Sequence, residues 1–361
     1  MNEINELIEI SRRYGSDKNY VIAGGGNTSY KNEEYVWIKG SGTSLATIGA
    51  DGFVRLNRAK LKEIGEKVYP DDVVKREEEV KNDLAAAIDD KPGKRPSVET
   101  SMHELLDYSF VIHTHPAKVN GLTCSVKAKE KTQELFGDDA VFIEYTDPGY
   151  TLFKAVYHKV KDYEARYGKH PQIVFLENHG VFVAADTTDE VDEIYRSINE
   201  KLDVRISVAP NSDDGDVKEG AFEFDGEKKV MLQKTSPLIS RFVRSEEEFE
   251  KVSIAFTPDN IVYCKAFYPF VEDSSETVNI IAEFISEKGY WPRVLGIKGE
   301  GLAVLEDNRK SALTVLEVYE DMLKTAVYAE NFGGAKPMTA EQIAFIDNWE
   351  VENYRRQVAK K

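Results

Sequence analysis

Two histidines separated by one residue, His113 and His115, lie in the β-rich run Phe110-Val111-Ile112-His113-Thr114-His115-Pro116. On an extended strand, residues i and i+2 point to the same face, so both imidazoles can reach one ion. His179 sits in Glu177-Asn178-His179-Gly180, after an apolar run, and could complete a three-histidine set. Such a set leaves one coordination position open for substrate, as catalytic zinc requires. The alternative for the His113-x-His115 pair is that strand histidines merely satisfy hydrogen bonds to hydroxyl or backbone groups. The other histidines lack comparable settings. His103-Glu104 is followed by Asp107 where a His-Glu-x-x-His protease helix needs histidine, and His158 and His170 read as surface residues.

Glu99 follows Ser97 and Val98 at an expected helix start, where exposed backbone N–H groups stabilise a carboxylate. By itself it is an ordinary first-turn glutamate. Beside a metal site that makes a carbanion, it becomes a candidate base. Two glycine-rich turns, residues 24–29 and 40–43, flank the strand-like segment 35–39. They are either hairpin loops or a nest of N–H and hydroxyl groups for a phosphate. The dinucleotide fingerprint is not met, because its third glycine falls at Ser29. Gly296-Ile297-Lys298-Gly299-Glu300-Gly301 misses it as well and leads into a strand-like segment rather than a helix.

These residues need elements to hold them, and hydrophobic periodicity supplies a set. Helices are expected over residues 2–13, 56–68, 117–124, 189–208 and 311–329, with a polar helix at the C-terminus. Residues 20–23, 35–39, 110–116, 261–267 and 293–297 read as strands, and 173–184 as a hairpin turning at Asn178-His179-Gly180. The charge run 75–81 reads as a solvated helix face, and residues 92–96 as a loop. Pro210-Asn211-Ser212-Asp213-Asp214-Gly215-Asp216 is the densest cluster of turn and acidic residues, and a domain boundary is expected there. No internal repeat is apparent. The expectation is a layered α/β domain over residues 1–208 and a second, smaller α/β domain over 217–361.

The 361 residues can bury one large core or two ordinary ones, and 41% hydrophobic with 31% charged residues is the composition of a soluble globular chain. Lys and Arg total 47 against 64 Asp and Glu, a net charge of −17 that disfavours nucleic acid and anionic membrane surfaces as partners. An anionic substrate must therefore be held by local N–H groups, hydroxyls or a metal. The first residues lack the basic segment and apolar run of a secretory signal, and no stretch approaches about 18 apolar residues, so a cytoplasmic protein is expected. Cys124 and Cys264 are far apart in sequence and read as buried thiols.

Taken in order, Gly-Gly-Gly-Asn27-Thr28-Ser29, Lys39-Gly40-Ser41-Gly42, Pro96-Ser97-Val98-Glu99, His113-Thr114-His115-Pro116 and Glu177-Asn178-His179-Gly180 resemble the class II aldolase/adducin family. The resemblance covers residues 1–208 and looks closest to the aldolase half of the bifunctional rhamnulose-phosphate aldolase/alcohol dehydrogenases. The segment from Trp291 onward resembles the continuation of that half more weakly, and a dehydrogenase half is not expected. The resemblance implies a layered α/β/α fold around a mixed or largely antiparallel sheet, and a homo-oligomer, with a tetramer as one form. It implies that His113, His115 and His179 bind Zn2+ or another divalent transition metal, with Glu99 as base. Asn27, Ser41, Gly42 and Ser97 match phosphate-binding positions, and Tyr145 matches a tyrosine that donates a proton at a neighbouring subunit's metal. Where small fuculose-phosphate aldolases carry a second serine beside the base, this chain has Val98, which removes a hydroxyl from the phosphate cradle.

The expected activity is cleavage of a ketose 1-phosphate of the 6-deoxyhexulose type to dihydroxyacetone phosphate and an aldehyde. A divalent ion chelated by the ketone and hydroxyl oxygens would stabilise the enediolate, Glu99 would move the carbon-bound proton, and a tyrosine would protonate the aldehyde oxygen. Two alternatives stand beside it. The same scaffold could epimerise a pentulose 5-phosphate at carbon 4, or the chain could be an adducin-like interaction module without chemistry.

Overall fold

A computed structural model describes residues 2–90 and 94–348. The chain divides into two compact units. The first comprises residues up to Val119 together with Lys129–Val204, and the second Asn120–Ala128 together with the chain from Arg205 onward. No described helix is long and apolar enough to cross a membrane.

Up to Asp203 the chain runs α1 (Asn2–Ser16), β1 (Asn27–Lys31), β2 (Tyr35–Lys39), β3 (Phe53–Asn57), α2 (Arg58–Glu66), α3 (Val73–Ala87), α4 (Thr100–Leu105), β4 (Phe110–Thr114), α5 (Ala117–Thr123), α6 (Ala128–Phe136), β5 (Val141–Ile143), α7 (Tyr150–Tyr167), β6 (Ile173–Leu176), β7 (Gly180–Ala185) and α8 (Thr188–Asp203), all in the first unit except residues 120–128 of α5 and α6. The seven strands of the first unit form one sheet in the order β3-β2-β1-β4-β7-β6-β5. Every neighbouring pair is antiparallel except β5 and β6, so the sheet is mixed and largely antiparallel.

Alternation along the strands sends successive side chains to opposite helical layers. On one face Thr28 of β1 meets Ser11 of α1 at 2.6 Å, and Thr114 of β4 meets Tyr195 of α8 at 2.7 Å. On the other, Val111, Phe182 and Ala184 pack with Met102 of α4 and with Phe153, Val156 and Val160 of α7. The layered α/β/α arrangement follows from that two-sided apolar pattern.

Three local expectations give way. Residues 20–23 are a turn rather than a strand: the N–H groups of Tyr20 and Val21 both donate to Asp17 O, and Ala23 takes a φ of 53°. The periodicity from Leu56 spans two elements, because β3 ends at Asn57, whose side chain accepts from Lys60 N and starts α2. Residues 261–267 are mostly helix: Thr257 and Asn260 form a capping box with Pro258 in the first turn, and a local cap outweighs the β-rich composition that follows. Residues 92 and 93 of the expected loop fall outside the described residues, as does the C-terminal helix beyond Asn348. Cys124 and Cys264 are buried.

The second unit contains β8 (Val217–Phe224), β9 (Glu227–Lys234), α9 (Pro237–Phe242), α10 (Glu246–Glu250), α11 (Pro258–Cys264), β10 (Phe270–Val271), α12 (Thr277–Lys288), β11 (Val294–Ile297), β12 (Gly301–Glu306), α13 (Arg309–Ala329) and α14 (Ala340–Asn348). Its sheet has the order β10-β11-β12-β9-β8. Written in reverse, β8-β9-β12-β11-β10 repeats β1-β4-β7-β6-β5 in order and relative direction, with the final pair parallel in both.

The correspondence reaches individual bonds. Glu177 N donates to Ile143 O and Lys298 N to Val271 O, both at 2.9 Å; Ala184 N donates to Gln172 O and Leu305 N to Arg293 O, at 2.8 and 2.9 Å. The core positions Ile143, Leu176, Phe182 and Ala184 are matched by Val271, Ile297, Ala303 and Leu305. An internal repeat is therefore present where the sequence showed none. Within residues 173–186 and 294–307 only Gly180/Gly301, Val183/Val304 and Asp186/Asp307 are identical, since a sheet needs apolar volume and pattern rather than particular residues.

Candidate metal centre and active site

His113 lies on β4, the strand between β1 and β7, and His115 just beyond its end, where His115 N donates to Tyr20 O. His179 occupies the β6–β7 turn, which pairs Leu176 with Gly180 after Asn178 adopts a φ of 55°. Close approach at this turn depends on Gly180. A Cβ there would stand 2.5 Å from Thr114 O and 2.7 Å from His115 Cδ2. The outcome is a cluster in which one ring nitrogen from each of His113, His115 and His179 lies within 4.8 Å of the others.

The ring orientations are fixed from behind. His113 Nδ1 stands 3.0 Å from Val181 O, and a carbonyl only accepts, so Nδ1 carries the proton and Nε2 presents its lone pair to the cluster. Its ring also stacks on Phe182 at 4.1 Å. Burial holds the His113 pKa well below the ordinary histidine value and keeps the ring in the neutral form that ligates metal.

Glu99 caps α4 and is buried. Its Oε2 accepts from Asn27 Nδ2. Its Oε1 is buried with no hydrogen-bond partner and faces His113 Nε2 at 3.4 Å and His179 Nε2 at 3.6 Å. Burial alone would raise the carboxyl pKa, but the three histidines and the Asn27 amide outweigh it and hold Glu99 below the usual carboxylate range. An unpartnered buried carboxylate oxygen beside three converging imidazoles is the donor set of a divalent transition-metal site. The residues present fit such an ion.

The phosphate-site candidates occupy two turns that come together. Gly40 forms a bridge with Pro96, Ser41 N donates to Arg95 O, and Ser41 Oγ donates to Pro96 O at 2.9 Å. Gly42 takes a φ of 81°, and Ser97 Oγ accepts from Glu99 N at 3.2 Å. Residues 40–42 thus lie beside the Ser97–Glu99 segment, and Val98 is half-buried between Ser97 and the base. Lys39 donates to Gly24 O and Gly26 O, which ties the first glycine turn to the second. Asn27 does more than its expected role, since its amide joins Glu99 to a second buried residue, His103.

Tyr145 follows β5, and its N–H donates to Glu177 Oε2 at 2.8 Å, two residues before His179. Burial first, and Asp147 second, raise its phenol above the ordinary tyrosine range. His103 is the residue that the sequence reading passed over. It shows no metal-ligand spacing, and its setting emerges only when β1 is laid against α4.

In the second unit, register places Gln233 opposite Ala303 as His113 stands opposite Phe182. Thr235 then corresponds to His115, and Glu300 to His179. Gly301 repeats the close approach of Gly180, with a Cβ 2.2 Å from Lys234 O and 2.5 Å from Thr235 Oγ1.

A family model described as the Class II Aldolase and Adducin N-terminal domain matches residues 5–200. Over 195 residues the chain is 32% identical to the uncharacterized oxidoreductase YuxG of Bacillus subtilis, a match that covers 52% of this chain and 27% of that protein. The chain therefore aligns with about a quarter of that relative's length. Among solved structures it resembles the N-terminal class II aldolase domain of a conserved protein from Thermoplasma acidophilum, with 26% identity, a TM-score of 0.47, and 56% of this chain and 92% of that one covered. It also resembles an L-fuculose-1-phosphate aldolase from Thermus thermophilus, with 12% identity, a TM-score of 0.37, and 56% and 93% covered.

Proposed function

Because the chain belongs to the class II aldolase and adducin family, we propose that it is a zinc-dependent carbon–carbon lyase that cleaves a ketose 1-phosphate to dihydroxyacetone phosphate and an aldehyde. The observation that carries this reading is the partnerless, buried Oε1 of Glu99 facing the His113, His115 and His179 cluster. A buried carboxylate oxygen with no hydrogen-bond partner beside such a cluster can ligate the ion until substrate displaces it, and can then serve as the base that deprotonation beside a carbonyl requires. When bound, the ion supplies a Lewis acid for the charge that builds on the carbonyl oxygen.

The chain's own residues supply the rest. Glu99 Oε1 exchanges the carbon-bound proton, and Asn27 holds Oε2 so that the carboxylate keeps its aim. Ser41, Gly42 and Ser97 offer hydroxyl and N–H dipoles to the phosphate from two adjoining turns, in place of the net positive charge that the molecule lacks. Tyr145 is assigned the proton at the aldehyde oxygen. Catalysis is given to residues 1–208, and no role is assigned to the second domain at 217–361. The protein is read as a cytoplasmic homo-oligomer.

The test is to incubate zinc-loaded protein with a panel of ketose 1-phosphates, their unphosphorylated counterparts and pentulose 5-phosphates, and to assay for triose, aldehyde and epimerised pentulose. Net cleavage of a phosphorylated ketose supports the reading. Interconversion of pentulose 5-phosphates without cleavage would replace it with 4-epimerisation on the same scaffold. Absence of any bound divalent ion would leave an interaction module instead.

A further inference from the structure

The face of β1 that carries Asn27, Ser29 and Lys31 is polar along its length, yet all three residues are buried. Each engages α4 or its cap. Asn27 Nδ2 donates to Glu99 Oε2. Asn27 Oδ1 meets His103 Nε2. Ser29 Oγ lies 2.7 Å from His103 Nδ1. Lys31 Nζ donates to the carbonyls of His103 and Leu106.

Partner capacity sets the direction of every bond. A carboxylate only accepts, so Asn27 turns its NH2 to Glu99 and its oxygen to His103. His103 Nε2 must then be the donor. With that tautomer its Nδ1 accepts, and Ser29 must donate. The chain therefore reads Ser29 to His103 to Asn27 to Glu99, a single polarity that ends on Oε2 and leaves Oε1 facing the histidine cluster. Burial lowers the His103 pKa to about 3, which keeps the ring neutral and the polarity fixed.

We propose that His103 is a positioning residue for Glu99, holding the carboxylate through Asn27 so that Oε1 alone presents to the metal and substrate side. This rests on the reading of Glu99 as the base. The chain is not a proton relay, since a neutral His103 donating through Nε2 has no proton to accept from Glu99 by way of an amide.

The test compares His103→Gln, whose amide N–H can reach Asn27 as Nε2 does, with His103→Leu and with Ser29→Ala, which removes only the far end of the chain. Two readouts are used: the visible spectrum of the cobalt(II)-substituted protein, and deuterium uptake by dihydroxyacetone phosphate in D2O with the zinc protein. His103→Leu is expected to bind one equivalent of metal, to change the cobalt spectrum in the same sense as Glu99→Gln, and to lose about 10- to 100-fold in kcat for exchange with little change in KM. Ser29→Ala should move both readouts less, and His103→Gln should restore them.

If Glu99→Gln alters spectrum and exchange while His103→Leu and Ser29→Ala do not, the positioning role is overturned and the base survives. If Glu99→Gln alters neither, the reading of the base itself fails. Should His103→Leu not fold, Ser29→Ala against His103→Gln decides the matter by the same two readouts. Metal loss in parallel with activity in every variant would mark a merely structural role and overturn the proposal.

A different observation carries a second inference. The register, hairpin bonds and glycine contacts of the second unit reproduce the frame that holds the three histidines, with Gln233, Thr235 and Glu300 in their places. Its β8–β9 connection turns at Asp225 and Gly226, so the equivalents of β2, β3 and the Glu99 helix are missing between those strands. We infer that this unit is a copy of the metal frame without its three histidines, so that among the described residues the metal centre is that of the first unit alone.

The combined variant Gln233→His, Thr235→His, Glu300→His is expected to bind a second equivalent of zinc, measured by metal analysis after gel filtration. A folded triple variant that binds one equivalent overturns the inference. The wild-type protein gives an independent check, because its single equivalent should vanish in His115→Ala. A zinc ion retained by that variant would equally contradict the proposal.

Discussion

Val98 and Ser97 stand side by side before the base, and one can donate a hydrogen bond while the other cannot. If phosphate is the recognition handle, the load falls on Ser41, Gly42 and Ser97, in turns joined by the Gly40–Pro96 bridge. Ser41→Ala and Ser97→Ala are each expected to weaken a phosphorylated substrate by about 1 to 3 kcal/mol, the range for removing a partner of a charged group. An unphosphorylated analogue should be nearly unaffected. Equal losses on both substrates, in KM measurements made side by side, would point to a sugar recognised without its phosphate. At this scale the His113-x-His115 pair is legible in the sequence by type and spacing, whereas Glu99 reads as an ordinary first-turn glutamate until it is taken together with the histidines. His103 does not stand out in this way, since its setting depends on Asn27 of β1, 76 residues away in sequence.

At the scale of elements, two features hold the site, and each makes a prediction. The His179 turn reaches β4 only because position 180 lacks a side chain. Gly180→Ala places a Cβ against Thr114 O and the His115 ring. Overpacking of this kind costs about 1 to 3 kcal/mol, and it should lower both thermal stability and zinc affinity. Unchanged zinc affinity in a destabilised variant would separate the turn from the site.

The second feature is α4, a six-residue helix too short to hold itself in place. Lys31 closes its C-terminal carbonyls, and Arg58 reaches Glu104 and Asp107, both at 2.9 Å. Burial lowers the Lys31 pKa from 10.5 to about 7, against the opposing pull of Glu104 and Asp107. Between those values the unfolded chain binds a proton that the folded one does not, so stability due to this group rises with pH. Denaturant titrations should show wild type strengthening relative to Lys31→Met from pH 7 towards pH 10, and a constant difference would refute the desolvated setting. The sequence placed α4 but not its grip, because a lysine on a strand reads as exposed until its neighbours are known. The turn at residues 20–23 and the helix α11 were misread for a related reason: backbone bonds to Asp17 and the Thr257–Asn260 cap override β-rich composition.

For the whole molecule, a net charge of −17 gives no long-range attraction for an anion. On the proposed reading, dipoles and a bound cation would gather the phosphorylated substrate at short range. The layered fold of the first unit was readable from its alternating pattern and its motifs. The repeat in the second was not, because three shared residues across a fourteen-residue hairpin vanish among ordinary apolar substitutions. On the proposed reading, the histidine cluster and Glu99 together labilise a carbon-bound proton beside a carbonyl. The decisive measurement follows deuterium uptake into dihydroxyacetone phosphate in D2O by NMR, with zinc-loaded wild type, metal-stripped wild type and zinc-loaded Glu99→Gln. Uptake is expected with the first alone, restored to the second by zinc, while Glu99→Gln keeps its metal and its fold. Uptake at the wild-type rate by Glu99→Gln, or by the metal-stripped protein, would contradict that reading.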